Sequence, residues 1–348
     1  MGIKKLADLV RSDAPDAISH KEISDYSGKI IAFDTSIIMN QFRAATPQLS
    51  PLTGLLFRTL TFLEHDIKPV FVFDGQPPDE KSAVLKKRAE SAGWNSTNRT
   101  GTASSQTKEW YQLLELLGVP FIKAPGDAEA LCAHLVKEEK VYAVASEDMD
   151  TLPFGGKILI RQLNAKKNSE VIEYSLPKLL TKLGLSQQEF VDLCILLGCD
   201  YCEKINGLGP KKALKLIQQH RTIEKVVLNI NGKKNSQPHL WKYREARKIF
   251  LHTPETQALE LRWTEPDEEG LVSFFCQDRH IKEDRIRHRM KKFREVRQIN
   301  REAREKEMAA GHSRQTRMED FFRVTRKREQ PVEAADSLSS NRKRPKTK

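Results

Sequence analysis

Acidic side chains that close apolar runs are the residues of this sequence best placed to do chemistry. In VYAVASEDMD the run Val141, Tyr142, Ala143, Val144, Ala145 reads as a short buried strand, and it delivers Glu147, Asp148 and Asp150 within four positions. At ~4 Å and an effective dielectric of ~20, each like-charge pair costs roughly 4 kcal/mol. The side chains must splay into water or share a cation. The arrangement recurs: Ile30, Ile31, Ala32 and Phe33 end on Asp34, and Val70, Phe71, Val72 and Phe73 end on Asp74. In VPFIKAPGDAEA a short strand at 119–122 and a Pro-Gly turn lead to Asp127 and Glu129 at a helix start. One Asp after a strand is ordinarily a turn former or a helix N-cap, and Asp127 could do no more than cap. Four strands that all end on acids point instead to a shared pocket. Oxygen-only donors favour Mg²⁺ or Mn²⁺ over zinc.

The elements that position these acids follow from the spacing. Continuous apolar strands alternate with amphipathic helical patterns, as in Gly54–His65 and Lys108–Leu117, which argues for a parallel α/β sheet. Such sheets bind ligands beyond the carboxyl ends of their strands, where the acids fall. The 348 residues are 39% hydrophobic and 30% charged, and no run of 18 apolar residues is present, so no membrane span is expected. The start, MGIKKLADLV, has no apolar signal region and carries Leu6 where a myristoylation signal has Ser or Thr, so an intracellular, soluble protein is expected. Five scattered cysteines suit a reducing compartment, and the Cys199-x-x-Cys202 pair lacks the second pair a structural zinc needs, so it reads as core. From Ile281 onward lie 22 of the 59 Lys/Arg and 11 of the 47 Asp/Glu, so the tail supplies nearly all of the net +12. A basic tail favours a polyanionic partner, above all nucleic acid.

LLGCDYCEKINGLGPKKALKLIQQH reads as helix, hairpin, helix. Backbone N–H groups at Gly207 and Gly209 and at the helix start by Pro210 offer a phosphate site, to which Lys211 and Lys212 add charge. Lys81 and Arg88 are seven residues apart and share one helical face.

In order, GIKKLADLV, FDTS, VFDGQPP, APGDAEA, SEDMDTLPFG and LLGCDYCEKINGLGPKKA resemble the motifs of the eukaryotic flap endonucleases, within the XPG/flap endonuclease family. The resemblance covers residues 1 to about 325 apart from a divergent middle. It implies a PIN-like α/β nuclease, its mixed parallel sheet flanked by helices. Such an enzyme cuts 5′ flaps and acts as a 5′–3′ exonuclease with two Mg²⁺ ions, in replication and base-excision repair. Asp34, Asp74, Asp127 and Glu129 would form one metal group, and Asp148, Asp150 and Asp200 the other, with Glu147 outside. Lys81 and Arg88 would hold the scissile phosphate, while Arg58, Gly198, Asp127 and Asp200 match further DNA-facing positions and a K⁺ would sit at the hairpin. Gln315, Met318, Phe321 and Phe322 match the box that binds the sliding clamp PCNA, and NRKRPKTK reads as a nuclear-localisation run. The implied protein is a monomer in the nucleus, with the mitochondrion as a second location.

The implied organisation is an N-terminal nuclease region at 1–92, a short flexible linker at 93–107 and an internal nuclease region with the hairpin at 108–240. A helical extension at 241–300 and a basic tail at 301–348 complete it. The sequence departs from the family in three places. Asp127 replaces a Glu, Asn40 replaces a base-stacking aromatic, and AESAGWNSTNRTGTASSQT is a short Ser/Thr/Gly-rich stretch where the family has a longer charged arch. These departures leave two alternatives beside a flap nuclease: a weakened DNA- and clamp-binding paralogue, or a related exonuclease or junction-cutting nuclease.

Overall fold

In the computed structural model, residues 2–45, 50–82, 84, 100–163, 170–205, 207–230, 241–252, 260–277 and 281–309 are described. Seven strands form one sheet: β1 (Ile18–Lys21), β2 (Ile30–Asp34), β3 (Lys68–Phe73), β4 (Phe121–Lys123), β5 (Ala143–Ala145), β6 (Ile158–Arg161) and β7 (Val171–Ser175). Their order is β1-β7-β6-β5-β2-β3-β4. The pairs β6–β5, β5–β2, β2–β3 and β3–β4 are parallel, whereas β7 runs antiparallel to both β6 and β1. The sheet is therefore mixed, with its four acid-bearing strands in the parallel part.

Both faces of that part are covered, which is why its strands are continuously apolar. Ile31 and Phe33 of β2, Phe71 and Phe73 of β3, and Ala143 and Ala145 of β5 join one core cluster. The alternate residues Ala32, Val70, Val72 and Val144 join a second. Helix α3 (Pro51–Glu64, after α2, Thr35–Ala45) packs on the first face through Leu55, Leu56, Leu60 and Phe62, with proline in its first turn. Helix α4 (Thr100–Leu116) adds Trp110, Leu113 and Leu114. Helix α5 (Ala128–Lys137) covers the other face with Leu131, Cys132 and Leu135.

The start of α4 corrects one expectation. Residues 100–107 continue a helix instead of belonging to a flexible linker. Once the buried stripe of Trp110, Leu113, Leu114 and Leu117 fixes the helix, each further residue adds a backbone hydrogen bond without a new nucleus, even where Ser and Thr are poor helix formers. The rest of the expected linker, Arg88, and the box of Gln315, Met318, Phe321 and Phe322 lie outside the described residues.

A third core cluster holds α1 (Leu6–Asp13), α6 (Leu176–Leu183), α7 (Gln187–Leu197), α8 (Pro210–His220), α9 (Ile223–Asn229) and α10 (Tyr243–Leu251) together. Helix α7 starts on a Ser186/Glu189 capping box and ends at Gly198, delivering Asp200. Asp192 of α7 is clipped to Arg247 of α10 by bonds of 2.6 and 2.8 Å, and Arg247 also holds Glu224 of α9 at 2.9 Å. Helices α11 (Glu268–Cys276) and α12 (Glu283–Ala309) follow, and Ile286, Met290 and Phe293 of α12 close the first cluster. Residues 1–301 make one compact unit, and a second unit begins at Glu302.

Candidate active site

Sheet register brings the acids to one rim. Asp34 pairs with Val72, which puts Asp74 two residues beyond, and Phe33 pairs with Ala145, so the 146–150 loop leaves at the same level. Ser36 ties the first two carboxylates together: its N–H donates to Asp34 Oδ1 at 3.0 Å, and its hydroxyl donates to Asp74 Oδ2. Asp74 Oδ1 accepts the Ala128 N–H at 2.8 Å, so the acid after β3 caps the helix that carries Glu129. Asp150 Oδ1 accepts the Ile3 N–H at 2.7 Å, fastening the start of the chain to the cluster. Gly2 lies so close that a Cβ there would stand 2.5 Å from Asp150 Oδ1, with φ at +86°.

Proximity without enough positive charge shows in the proton affinities. Burial, then Asp74 and Asp148, push the Asp34 carboxyl up to about 7. Burial, then Asp200 and Asp148, push Asp150 up to about 8. Glu129 is raised well above the carboxylate range by burial and by Asp34, against the pull of Lys81. Asp34, Glu129, Asp150 and Asp200 are all less than a tenth exposed.

Lys81 is the cation that meets this cluster. Its ammonium donates to Asp127 Oδ1 at 2.7 Å and lies 3.7 Å from Glu129. Burial opposes its charge but is outweighed by Glu129 and Asp127, so its proton affinity rises. The other oxygen of Asp127 accepts the Tyr201 hydroxyl at 2.6 Å. Asp127 occupies the N-cap position of α5, yet its side chain makes no cap bond. The capping role open to it from the sequence has passed to Asp74. Among the described residues, no three acidic, histidine or cysteine side chains are grouped to hold a metal ion by themselves. The donor set nonetheless fits a hard cation that keeps part of its water and takes one or two carboxylates with substrate phosphate. An ion there would offset the burial and the mutual repulsion that raise Asp34, Glu129 and Asp150.

Two family patterns match: the XPG N-terminal domain over residues 1–93 and the XPG I-region over 118–200. A Danio rerio protein described as a probable flap endonuclease 1 homolog is 60% identical, with the whole of both chains aligned. The chain belongs to the flap endonuclease family. This is a family of metal-dependent nucleases. The flap endonuclease 1 of Danio rerio itself is 41% identical, over the whole of this chain and 95% of its own. That alignment runs to 384 positions, against 351 for the homolog, so the chain shares its shorter length with the homolog. Among solved structures, the catalytic core of Rad2 in complex with DNA substrate matches with a TM-score of 0.72 at 23% identity, covering 84% of this chain and all of that one, which supports the fold.

The remaining family-type positions spread over two regions. Gly207 (φ +75°) and Gly209 are exposed on the hairpin, buried Leu208 pins the turn, and Lys211 and Lys212 are exposed on the first turn of α8. Gly198 accepts the Lys4 N–H at 3.2 Å through its carbonyl. Arg58 lines a narrow cleft with Asp34 and Glu147, donates to Gln41 at 2.9 Å, and covers the Phe42 ring at 4.5 Å. A Cβ on Gly54 would stand 2.6 Å from that ring, so Phe42 lies against α3, over Gly54 and under the Arg58 side chain. Two positions after Asn40, it is an inward-packed ring and no substitute for the family's stacking aromatic. Cys199 and Cys202 are buried with their sulfurs 3.7 Å apart, as core residues. Ser36, Ile3 and Tyr201 went unread in the sequence. Ser36 lies two residues after Asp34 and Tyr201 follows Asp200 directly, and that closeness to a site acid is the signal that could have singled them out.

Proposed function

We infer that the chain is a structure-specific 5′-flap endonuclease with 5′–3′ exonuclease action, hydrolysing DNA phosphodiester bonds. The carrying observation is the rim where buried Asp34, Glu129, Asp150 and Asp200, from β2, α5, the loop after β5 and the end of α7, meet the exposed Asp74 after β3, held together against burial and their own repulsion. Asp34, Asp74 and Glu129 would hold one Mg²⁺, with Asp127, which the resemblance adds to that group, paired to Lys81, and Asp148, Asp150 and Asp200 would hold a second, each ion completed by water and substrate phosphate and Mn²⁺ serving as a substitute. When bound, the ions supply an activated water and a stabilised leaving oxygen. Lys81 offers its ammonium to the scissile phosphate beside Glu129, together with Arg88. The Gly207–Gly209 turn and the start of α8 grip the duplex backbone through N–H groups and Lys211 and Lys212, with K⁺ at the turn. Arg58, Gly198 and Asp200 line the DNA path.

The same reading makes the protein a monomer that works on branched DNA in replication and base-excision repair. PCNA docks through Gln315, Met318, Phe321 and Phe322, and the terminal basic run directs import into the nucleus. A binding-only paralogue is the second reading, motivated by Asp127 in place of the family's Glu and by the short Ser/Thr/Gly-rich stretch in place of the charged arch. Cleavage of an end-labelled 5′-flap duplex with and without Mg²⁺ tests the two. A product that forms only with Mg²⁺ supports the nuclease; no product at any Mg²⁺ concentration overturns it.

A further inference from the structure

We propose that Tyr201 is a positioning residue of this nuclease: its hydroxyl locks Asp127 into an ion pair with Lys81, so that Asp127 aims the ammonium at the scissile phosphate and is not a metal ligand. The proposal rests on the flap-nuclease reading.

Geometry carries it. Tyr201 is 1% exposed and packs edge-on against Phe154 and Phe250, with ring centroids 6.1 and 5.1 Å away and planes near perpendicular. A ring buried against that aromatic pair cannot swing its hydroxyl to another partner, so the 2.6 Å bond fixes Asp127 Oδ2 in place. Oδ1 is then presented to Lys81 at 2.7 Å, and the Asp127 side chain is only 3% exposed. The ammonium and the phenol thus take one oxygen each of that carboxylate. A divalent ion sharing it would stand beside the Lys81 charge and be repelled by it. Asp127 makes no cap bond to the helix start that follows it, where Asp74 takes the Ala128 N–H. Lys81 in turn lies between Asp127 and Glu129 and 6.0 Å from the Tyr201 ring centroid. Each group in the chain Tyr201–Asp127–Lys81 is thus placed by the one before it, ending on a cation at the acid cluster.

The test combines a double-mutant cycle with metal binding, on the full chain. Tyr201→Phe removes the hydroxyl and keeps the ring. Single-turnover cleavage of a 5′-flap duplex should fall about tenfold or more, with flap-DNA affinity within about twofold of wild type. In a Lys81→Ala background, Tyr201→Phe should cost no further activity, because the tyrosine acts through that lysine. A merely structural tyrosine would lower both backgrounds equally, and that outcome overturns the proposal. Mn²⁺ titration by electron paramagnetic resonance, without DNA, gives a readout independent of cleavage. Asp127→Asn should leave Mn²⁺ affinity within about twofold, whereas Asp34→Asn should weaken it about tenfold. A tenfold loss in Asp127→Asn makes Asp127 a ligand and overturns the proposal, as does a wild-type rate in Tyr201→Phe. Failure of the underlying reading looks different: the wild-type chain would not cleave at all, while the Mn²⁺ comparison still decides whether Asp127 is a ligand.

Discussion

Asp150→Asn should stabilise the metal-free protein while abolishing cleavage. The Asp150 carboxyl rises from 3.8 to about 8 through burial and through Asp200 and Asp148. An acid raised in this way keeps its proton in the folded chain while the unfolded chain has lost it, so stability declines as pH climbs from about 4 to about 8. Asp34, pushed up to about 7, contributes in the same direction. At ~1.36 kcal/mol per pH unit, the Asp150 displacement withholds on the order of 5 kcal/mol from the folded state at pH 8. Asparagine has no such slope, and its carbonyl can still accept the Ile3 N–H now bonded to Asp150. With about 2 °C per kcal/mol for a chain of this size, the variant should melt some 5–10 °C above wild type at pH 8 in EDTA. At pH 4.5 the gain should shrink below about 1 kcal/mol, because the folded wild type is then protonated. Added Mg²⁺ should narrow the gap at pH 8 by binding the wild-type cluster more tightly. Thermal melts at both pH values, with and without Mg²⁺, measure all of this. Equal melting temperatures at pH 8, or the same gain at both pH values, would refute the charge-repulsion account. Flap-DNA affinity should stay within a few fold, since the duplex grip lies on the hairpin.

Asp127→Glu should lower the single-turnover rate about tenfold, because the extra methylene pushes the carboxylate ~1.5 Å into a site that the Tyr201 hydroxyl fills at 2.6 Å; a faster enzyme in the same assay would contradict this. Arg247→Met leaves Asp192, with its side chain 3% exposed, bonded only to the Ile223 N–H, and should cost roughly 3–5 kcal/mol in urea unfolding. A cost below ~1 kcal/mol would mean the clip is dispensable. Phe321→Ala combined with Phe322→Ala should remove PCNA stimulation and leave basal cleavage intact, and equal clamp affinity by calorimetry would exclude the box.

What the sequence made legible was the part with the loudest local signal. β2, β3 and β5 are continuous apolar runs because α3, α4 and α5 cover both sheet faces; β2 and β3 run straight into Asp34 and Asp74, and β5 leads within a few residues to Asp148 and Asp150. Strands β1 and β7 interleave polar residues, as in ISHK and VIEYS, and pair antiparallel, where period-2 patterns are weak over four or five residues; β6, ILIR, is apolar but only four residues long. The helix at 100–107 stayed hidden because its stability comes from a buried stripe further along. Least visible was the Tyr201–Asp127 bond, which spans 74 residues. No spacing rule links them; only the packing of α10 and the 146–154 loop around the ring brings the hydroxyl to the acid.

The position of β2 has a consequence in time. It lies inside the sheet, yet β3 emerges soon after it and β5 only at Ala143–Ala145. At ~5–20 residues per second of synthesis, one edge of β2 waits for several seconds with Ile31 and Phe33 on an unpaired strand. A bare apolar edge recruits neighbouring chains. During that interval Asp34 terminates the exposed strand beside Asp74, while Asp148, Asp150 and Asp200 are still unmade. The charge at that strand end discourages a second nascent chain from stacking onto the edge. The acid that strains the finished centre thus serves, earlier in the molecule's life, as its guard against aggregation.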